Sequence, residues 1–237
     1  MNVVGSTIGR ETDAGIYLHA GPEIGVASTK AFTAQVMVFS MLSILIGYKK
    51  GRMNKQQYEN HVKSLSQIPA QIAHILNNTA CVLEASRVYR YAQHMFFFGR
   101  GYNFPVALEG ALKLKEISYI HAEGYAAAEL KHGPIALIDP SMPVVFVAPS
   151  SDSAYEKIKA NVLEAANQKA SIVVITEEGN NEFDEIAEFV FRIPCSKECF
   201  VPLLAAIPLQ LLSYHIADMR GLDVDKPRNL AKSVTVE

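Results

Sequence analysis

Residues 95–118, MFFFGRGYNFPVALEGALKLKEIS, decide the reading of this chain. Met95, Phe96, Phe97 and Phe98 run without a polar break into Gly99-Arg100-Gly101. That is the pattern of a fully buried strand ending in a glycine turn. The period then changes, and residues 104–118 predict a helix. Working outward, the alternation recurs: a strand over 144–148, a helix over 153–168, a strand over 172–176, a short strand over 189–193. A long apolar helix follows over 200–220, with Pro202 and Pro208 inside it or at its start. Apolar strands separated by helices imply a parallel sheet covered on both faces, an α/β doubly wound fold. Residues 78–237 read as one complete domain of this kind.

Residues 1–77 read differently. A strand remnant at Asn2-Val3-Val4 is followed by loop and then helices. Ser28 is the expected N-cap of a helix running to about Tyr48, with Gly51 as its stop. A polar, helix-favouring stretch over 54–78 is expected to break near Pro69, and residues 79–93 predict a further helix. These elements cannot make a full sheet. They read as the partial end of a first subdomain plus connecting helices, the chain opening partway through a domain. Residues 31–48 are uncharged for eighteen residues, long enough to span a membrane. Thr33, Gln35, Ser40 and Ser43 interrupt them, so a buried helix is expected instead.

Composition narrows the classes. Of 237 residues, 49% are hydrophobic and 19% charged, and the formal charge is -2, with no basic block. Neither a nucleic-acid footprint nor a membrane-surface patch is expected from that balance. Cys81, Cys195 and Cys199 are odd in number and lack metal-ligand spacing, so no disulfide framework and no metal site are expected. The first fifteen residues lack the basic start and apolar run of a signal peptide, which points to a cytoplasmic protein. No P-loop is present, and Gly99-Arg100-Gly101 lacks the third glycine of a dinucleotide fingerprint, so no cofactor is expected.

The 104–118 helix carries Glu109, Lys113 and Glu116 at i, i+4 and i+7, one narrow stripe. On an exposed helix this would be a ladder of surface ion pairs. Here Val106, Ala107, Leu108, Ala111, Leu112, Leu114 and Ile117 occupy the other faces, so the helix should be buried and its charges paired or functional. A carboxylate beside a lysine in a dry cleft suits a general base with a proton-relay partner. His132 falls at a helix-to-loop junction before Gly133-Pro134; a lone histidine there is as readily structural. Residues 149–153 lie between a strand and a helix, where anions often bind. Asp152 would repel a phosphate, so an N-cap role for Ser151 or Ser153 is expected. Val4-Gly5-Ser6-Thr7 is a turn able to offer backbone groups to a ligand. The tail LDVDKPRNLAKSVTVE, residues 222–237, mixes Pro227, Arg228, Asn229 and Lys232 with an alternating Val234, Thr235, Val236. That composition suits an ordered segment laid over a site.

Three stretches in order, GPEIGVASTKAFT (21–33), ALEGALKLKEISYIHAEGYAAAELKHGP (107–134) and DVDKPRNLAKSVTVE (223–237), carry a family likeness. They resemble the isomerising glutamine:fructose-6-phosphate aminotransferases, the glucosamine-6-phosphate synthase family. That family has sugar-isomerase (SIS) architecture: two doubly wound subdomains behind a glutaminase domain. The resemblance implies that Glu116 moves a proton between C1 and C2 of the open-chain sugar and that Lys113 assists at the oxygen. It implies that His132 opens the sugar ring, reaching a neighbouring subunit of a homodimer, and that Lys232 forms a Schiff base with the C2 carbonyl of fructose 6-phosphate. Ala231 is implied to line the sugar, and Val4 and Ser6 to contact it. The product would be glucosamine 6-phosphate, with ammonia supplied by the glutaminase domain. Two family features are missing: the Ser/Thr-rich phosphate loop S-Q-S-G-x-T, whose degenerate counterpart is residues 149–153, and the glutaminase cysteine. The expectation is therefore the C-terminal part of such an enzyme, poor in sugar-phosphate affinity by itself. A sugar-phosphate sensor of the same architecture would have no need of a Schiff-base lysine. Another aldose–ketose isomerase would not explain the long C-terminal match.

Overall fold

Met95, Phe96, Phe97 and Phe98 are each 1% exposed or less, as a strand buried on both faces requires. They form most of β1 (His94–Gly99), seen in a computed structural model that describes residues 1–232. β1 pairs with β2 (His121–Ala126) on one side and β3 (Pro143–Val147) on the other; β4 (Ser171–Glu177) and β5 (Phe189–Ile193) follow. All pairings are parallel and the order is β2-β1-β3-β4-β5. Seven α-helices accompany the sheet among the described residues: α1 (Thr7–Glu11), α2 (Lys30–Lys49), α3 (Lys55–Asn77), α4 (Ala80–Tyr89), α5 (Phe104–Ser118), α6 (Tyr155–Asn167) and α7 (Val201–Met219).

Alternation along the strands splits the core in two. Phe96, Phe98, Val144, Phe146, Ile172 and Val174 point to the face covered by Ile158, Val162 and Ala165 of α6. Met95, Phe97, Val145, Val173 and Phe191 point to the opposite face, where α4, α5 and α7 lie. On that side α7 buries Leu203, Leu204, Leu209, Leu212 and Ile216, each worth about 1.5–3 kcal/mol relative to exposure. α7 is apolar and long enough to cross a membrane, but its burial marks it as the core helix of this layer. α5 lies between the sheet and α7, the placement its nearly all-round apolarity demands.

Several expectations need correction. Residues 121–126, HAEGYA, carry no strand pattern in the sequence, yet they form edge strand β2, which pairs on one side only and so needs no apolar run. Asn2-Val3-Val4 is not a strand. The segment is a bend, with Met1 N–H bonded to Ile16 O and the Asn2 side chain to Gly21 O, and among the described residues no strand pairs with it. The N-cap of α2 is Thr29 rather than Ser28. Pro69 does not break α3. The cost of about 3 kcal/mol for proline inside a helix is offset by burial of Leu65, Ile68 and Ile75 and by a capping box between Asn54 and Gln57. Ser151 and Ser153 do not cap α6; the N-cap is Ala154, whose N–H is bonded to Asp152 Oδ1 at 2.7 Å. Nor is α2 a buried helix within this chain. Only Ala31 and Ile44 are buried, while Phe39, Met41, Leu45 and Ile46 are exposed. α2 is, like α7, apolar and long enough to cross a membrane.

The turn after β1 is tight. A Cβ on Gly99 would stand 2.1 Å from the Asn103 carbonyl oxygen, a backbone atom that cannot swing away. Gly99→Ala is expected to destabilise the fold by about 1–3 kcal/mol or more. A urea melt with an unchanged midpoint would contradict this account of the turn.

Candidate active site

The stripe on α5 is buried at its centre and partly exposed at its two carboxylates, Glu109 and Glu116. Lys113 is 3% exposed, and its ammonium lies between the two carboxylates. It is 3.7 Å from Glu109 Oε1 and 2.6 Å from Glu116 Oε2, the latter within ion-pair distance though poorly aligned for a hydrogen bond. Lys113 leaves water because much of the helix packs on the sheet and on α7. Leu108 and Leu112 are exposed, so the helix is not buried all round. The attraction of Lys113 to the two carboxylates must offset its desolvation. Burial pushes the Glu109 carboxyl up to about 7, Lys113 pulls it back down, and the neighbouring Glu116 raises it further. A carboxyl titrating there can take or release a proton at neutral pH.

Across from this stripe lies a cavity of about 290 Å³, open on one side, between α5, α7, the 22–29 loop and the chain after α7. Its walls include Lys113 and Ile117 of α5, Gln210 and Tyr214 of α7, and Glu23, Asp225 and Lys232. The post-α7 segment is ordered by local chemistry. Asp223 Oδ1 accepts the N–H groups of Asp225 and Lys226, Pro227 is buried, and Asp225 O accepts Val26 N–H at 2.9 Å. These contacts carry Lys232 to the cavity wall. There its ammonium donates to Glu23 Oε1 at 3.2 Å and Val26 O at 3.4 Å.

Two lysines predicted from distant parts of the sequence, Lys113 and Lys232, thus share one cavity. Glu116 sits against Lys113 but is not itself part of the wall. Ala231 is exposed and outside the wall. His132 is not brought to the cavity either. It ends a 3-10 turn (Ala127–His132), is largely exposed and pairs with Glu129 Oε2 at 2.8 Å. Val4 is exposed, and the Ser6 hydroxyl accepts Gly9 N–H at the start of α1; neither touches the cavity. Val234, Thr235 and Val236 lie outside the described residues.

Glu23 and Gln210 went unassigned in the sequence. Gln210 is the lone amide in the apolar run VPLLAAIPLQLL, and its buried Nε2 has no hydrogen-bond partner among the described residues. That contrast was legible. Glu23 gave no such signal, since its role depends on a partner 209 residues away.

In sheets of this order, ligands ordinarily sit where the strand order reverses, here between the C-terminal ends of β1 and β3. That crevice is closed by the protein's own carboxylates. Glu177, 2% exposed, accepts the backbone N–H and hydroxyl groups of both Ser150 and Ser151. Glu198 takes the N–H and hydroxyl of Ser153, and Asp152 accepts from Asn103 Nδ2 and Ala154 N–H. The 149–153 turn therefore spends its donors internally, and the open cavity lies in the helical layer instead.

The fold class is a doubly wound parallel sheet, and the SIS domain family matches residues 1–45 and 89–219. The chain belongs to the SIS family. It is 54% identical over 237 residues to the isomerizing glutamine–fructose-6-phosphate aminotransferase of Chlorobaculum tepidum. It is 51% identical over 236 residues to the protein of the same name from Bacteroides thetaiotaomicron. In both cases all of this chain is matched, and it spans 38% of the relative's length. Among solved structures it resembles the C-terminal domain of glucosamine-fructose-6-phosphate aminotransferase from Francisella tularensis. The TM-score is 0.89 at 38% identity, over 95% of this chain and 63% of that one. It also resembles a glucosamine-6-phosphate deaminase from Thermotoga maritima, with a TM-score of 0.72 at 26% identity over 97% and 63% of the two chains.

Because the folded Glu109 pKa is raised, the native state binds more protons than the unfolded chain between about pH 4.5 and 7. Stability should fall as pH rises through that window. Glu109→Gln is expected to flatten the fall, read from unfolding midpoints at intervals between pH 4.5 and 8; parallel curves for the two proteins would sink the assignment.

Proposed function

We propose that this chain is the isomerase region of an enzyme that makes glucosamine 6-phosphate from fructose 6-phosphate and glutamine-derived ammonia. The observation that carries the reading is the single cavity shared by Lys113, held by its ion pair with Glu116, and Lys232. The Lys232 amine condenses with the C2 carbonyl of the open-chain sugar, releasing water and forming an imine. Ammonia then displaces the Lys232 amine by transimination, leaving a C2 imine that makes the C1 proton more acidic. Glu116 takes that proton from C1 and returns it at C2 as the C1 hydroxyl gives up its own proton to become the aldehyde. The Lys113 ammonium donates to the sugar oxygen on which charge develops. Glu116 acts from behind Lys113, so the substrate must draw the two side chains apart by a rotamer change at the wall.

Residues 1–77 serve as the end of a first SIS subdomain and 78–237 as the second. The apolar surface of α2, with Met41 and Leu45 exposed, suits contact with the remainder of a first subdomain. The sugar phosphate is gripped by that subdomain, since the corresponding turn at 149–153 has its donors filled by Glu177 and Glu198. Largely exposed His132 serves the cavity of a partner subunit in a homodimer, where it opens the sugar ring. Val4, Ser6 and Ala231 close on the sugar once it is bound. A glutaminase domain of the full-length enzyme supplies ammonia, and the enzyme is cytoplasmic.

Glu116→Gln in the full-length enzyme is expected to lower isomerisation by about 10²–10⁴-fold while sparing sugar binding; undiminished turnover would remove Glu116 as the base. Borohydride added with fructose 6-phosphate should attach the sugar to Lys232 and leave a Lys232→Arg variant unlabelled. Equal labelling of both would refute the imine.

A further inference from the structure

Tyr119 stands where α5 ends, three residues beyond Glu116 and six beyond Lys113. Its φ is 61°, in the left-handed region. Helices ordinarily place glycine or asparagine at that point, because a side chain there strains the backbone. A half-buried tyrosine kept at such a position is explained by what its side chain does. Its phenolic oxygen accepts the Arg228 N–H at 2.7 Å, and the Arg228 guanidinium lies 4.2 Å from the centre of its ring. One side chain therefore makes two separate contacts, a hydrogen bond and a cation–π stack, with one residue of the post-α7 segment.

The location of that residue matters. Arg228 follows buried Pro227 and precedes Asn229, itself left-handed at φ 63°. Lys232 lies four residues farther, and four residues of extended chain reach at most about 14 Å. Fixing Arg228 to the end of α5 thus confines Lys232 to the neighbourhood of Lys113 and Glu116, which α5 itself carries. Other holds on the segment, Val26 N–H to Asp225 O and the Lys232 ammonium to Glu23 Oε1 and Val26 O, tie it to the 22–29 loop instead.

We propose that Tyr119 is the positioning residue that keeps the C-terminal segment, and with it the Lys232 amine, in register with the Lys113–Glu116 pair. The inference rests on the reading of Lys232 as the imine-forming lysine. Imine formation and proton transfer must act on adjacent carbons of one sugar, so the two groups have to be held on a common frame. A displacement of about 1 Å in such an arrangement costs on the order of 10²-fold in rate.

The test uses the full-length enzyme, fructose 6-phosphate and borohydride, with the rate of labelling at Lys232 as the readout and the thermal midpoint measured alongside. Tyr119→Gly supplies the residue that the backbone conformation favours and removes both contacts. It is expected to label roughly ten- to a hundredfold more slowly, with a midpoint within about 3 °C of wild type. Tyr119→Phe keeps the ring and should fall between the two. Arg228→Leu breaks the pair from the other side and should match Tyr119→Gly, which keeps the test open if the glycine variant does not fold. Labelling at the wild-type rate in Tyr119→Gly or Arg228→Leu overturns the proposal. So does a loss of labelling that only tracks the fall in thermal midpoint across the three variants. Wild-type enzyme without label at Lys232 refutes the imine reading and this inference together; label in wild type with none lost in the variants refutes Tyr119 alone.

Discussion

The burial of the Lys113 ammonium between Glu109 and Glu116 is the constraint around which the site is arranged. One ammonium on α5 is carried out of water by the apolar packing around it, and the two partly buried carboxylates on the same face flank it. A buried triad of this kind is costly unless each charge finds a counter-charge. Burial is what chiefly raises the Glu109 carboxyl, and the second carboxylate, Glu116, adds to that rise. The triad is thus an acid–base system prepared by packing. Its Lys113 lines a cavity whose wall also carries a second amine, Lys232.

The position of that cavity departs from the general rule for the fold. An open α/β sheet presents its ligand site at the strand-order reversal, and here the turn at that point is saturated by Glu177, Glu198 and Asp152. The donors that would cradle an anion hold the protein's own carboxylates. Closing the crevice internally leaves the helical layer of α5 and α7, roofed by the 22–29 loop and the C-terminal segment, as the place where a polar ligand meets ionisable groups. The sheet contributes rigidity, while the chemistry is carried by helix faces and by irregular chain pinned onto them.

Much of this could be read along the chain. β1, α5, β4 and β5 were legible because their apolar periods are strong and bounded by glycine or by polar turns. The Glu109–Lys113–Glu116 stripe was legible for the same reason, since three charges on an otherwise apolar helix stand out. β2 was not, because an edge strand with His121 and Glu123 at its start carries no continuous apolar run. Pro69 misled because propensity is a local quantity and the burial of Leu65, Ile68 and Ile75 is not.

By itself, then, the sequence determined the parallel α/β layering and the burial of the Lys113 charge on α5. Those properties follow from local periodicity and from the cost of burying unpaired charge, both of which are written residue by residue. Tertiary structure alone decided that Lys232 meets Glu23 and shares a cavity with Lys113, that His132 faces away from it, and that Glu177 fills the strand-end crevice. Each of these depends on contacts between residues far apart in the chain, whose geometry exists only once the layers have packed.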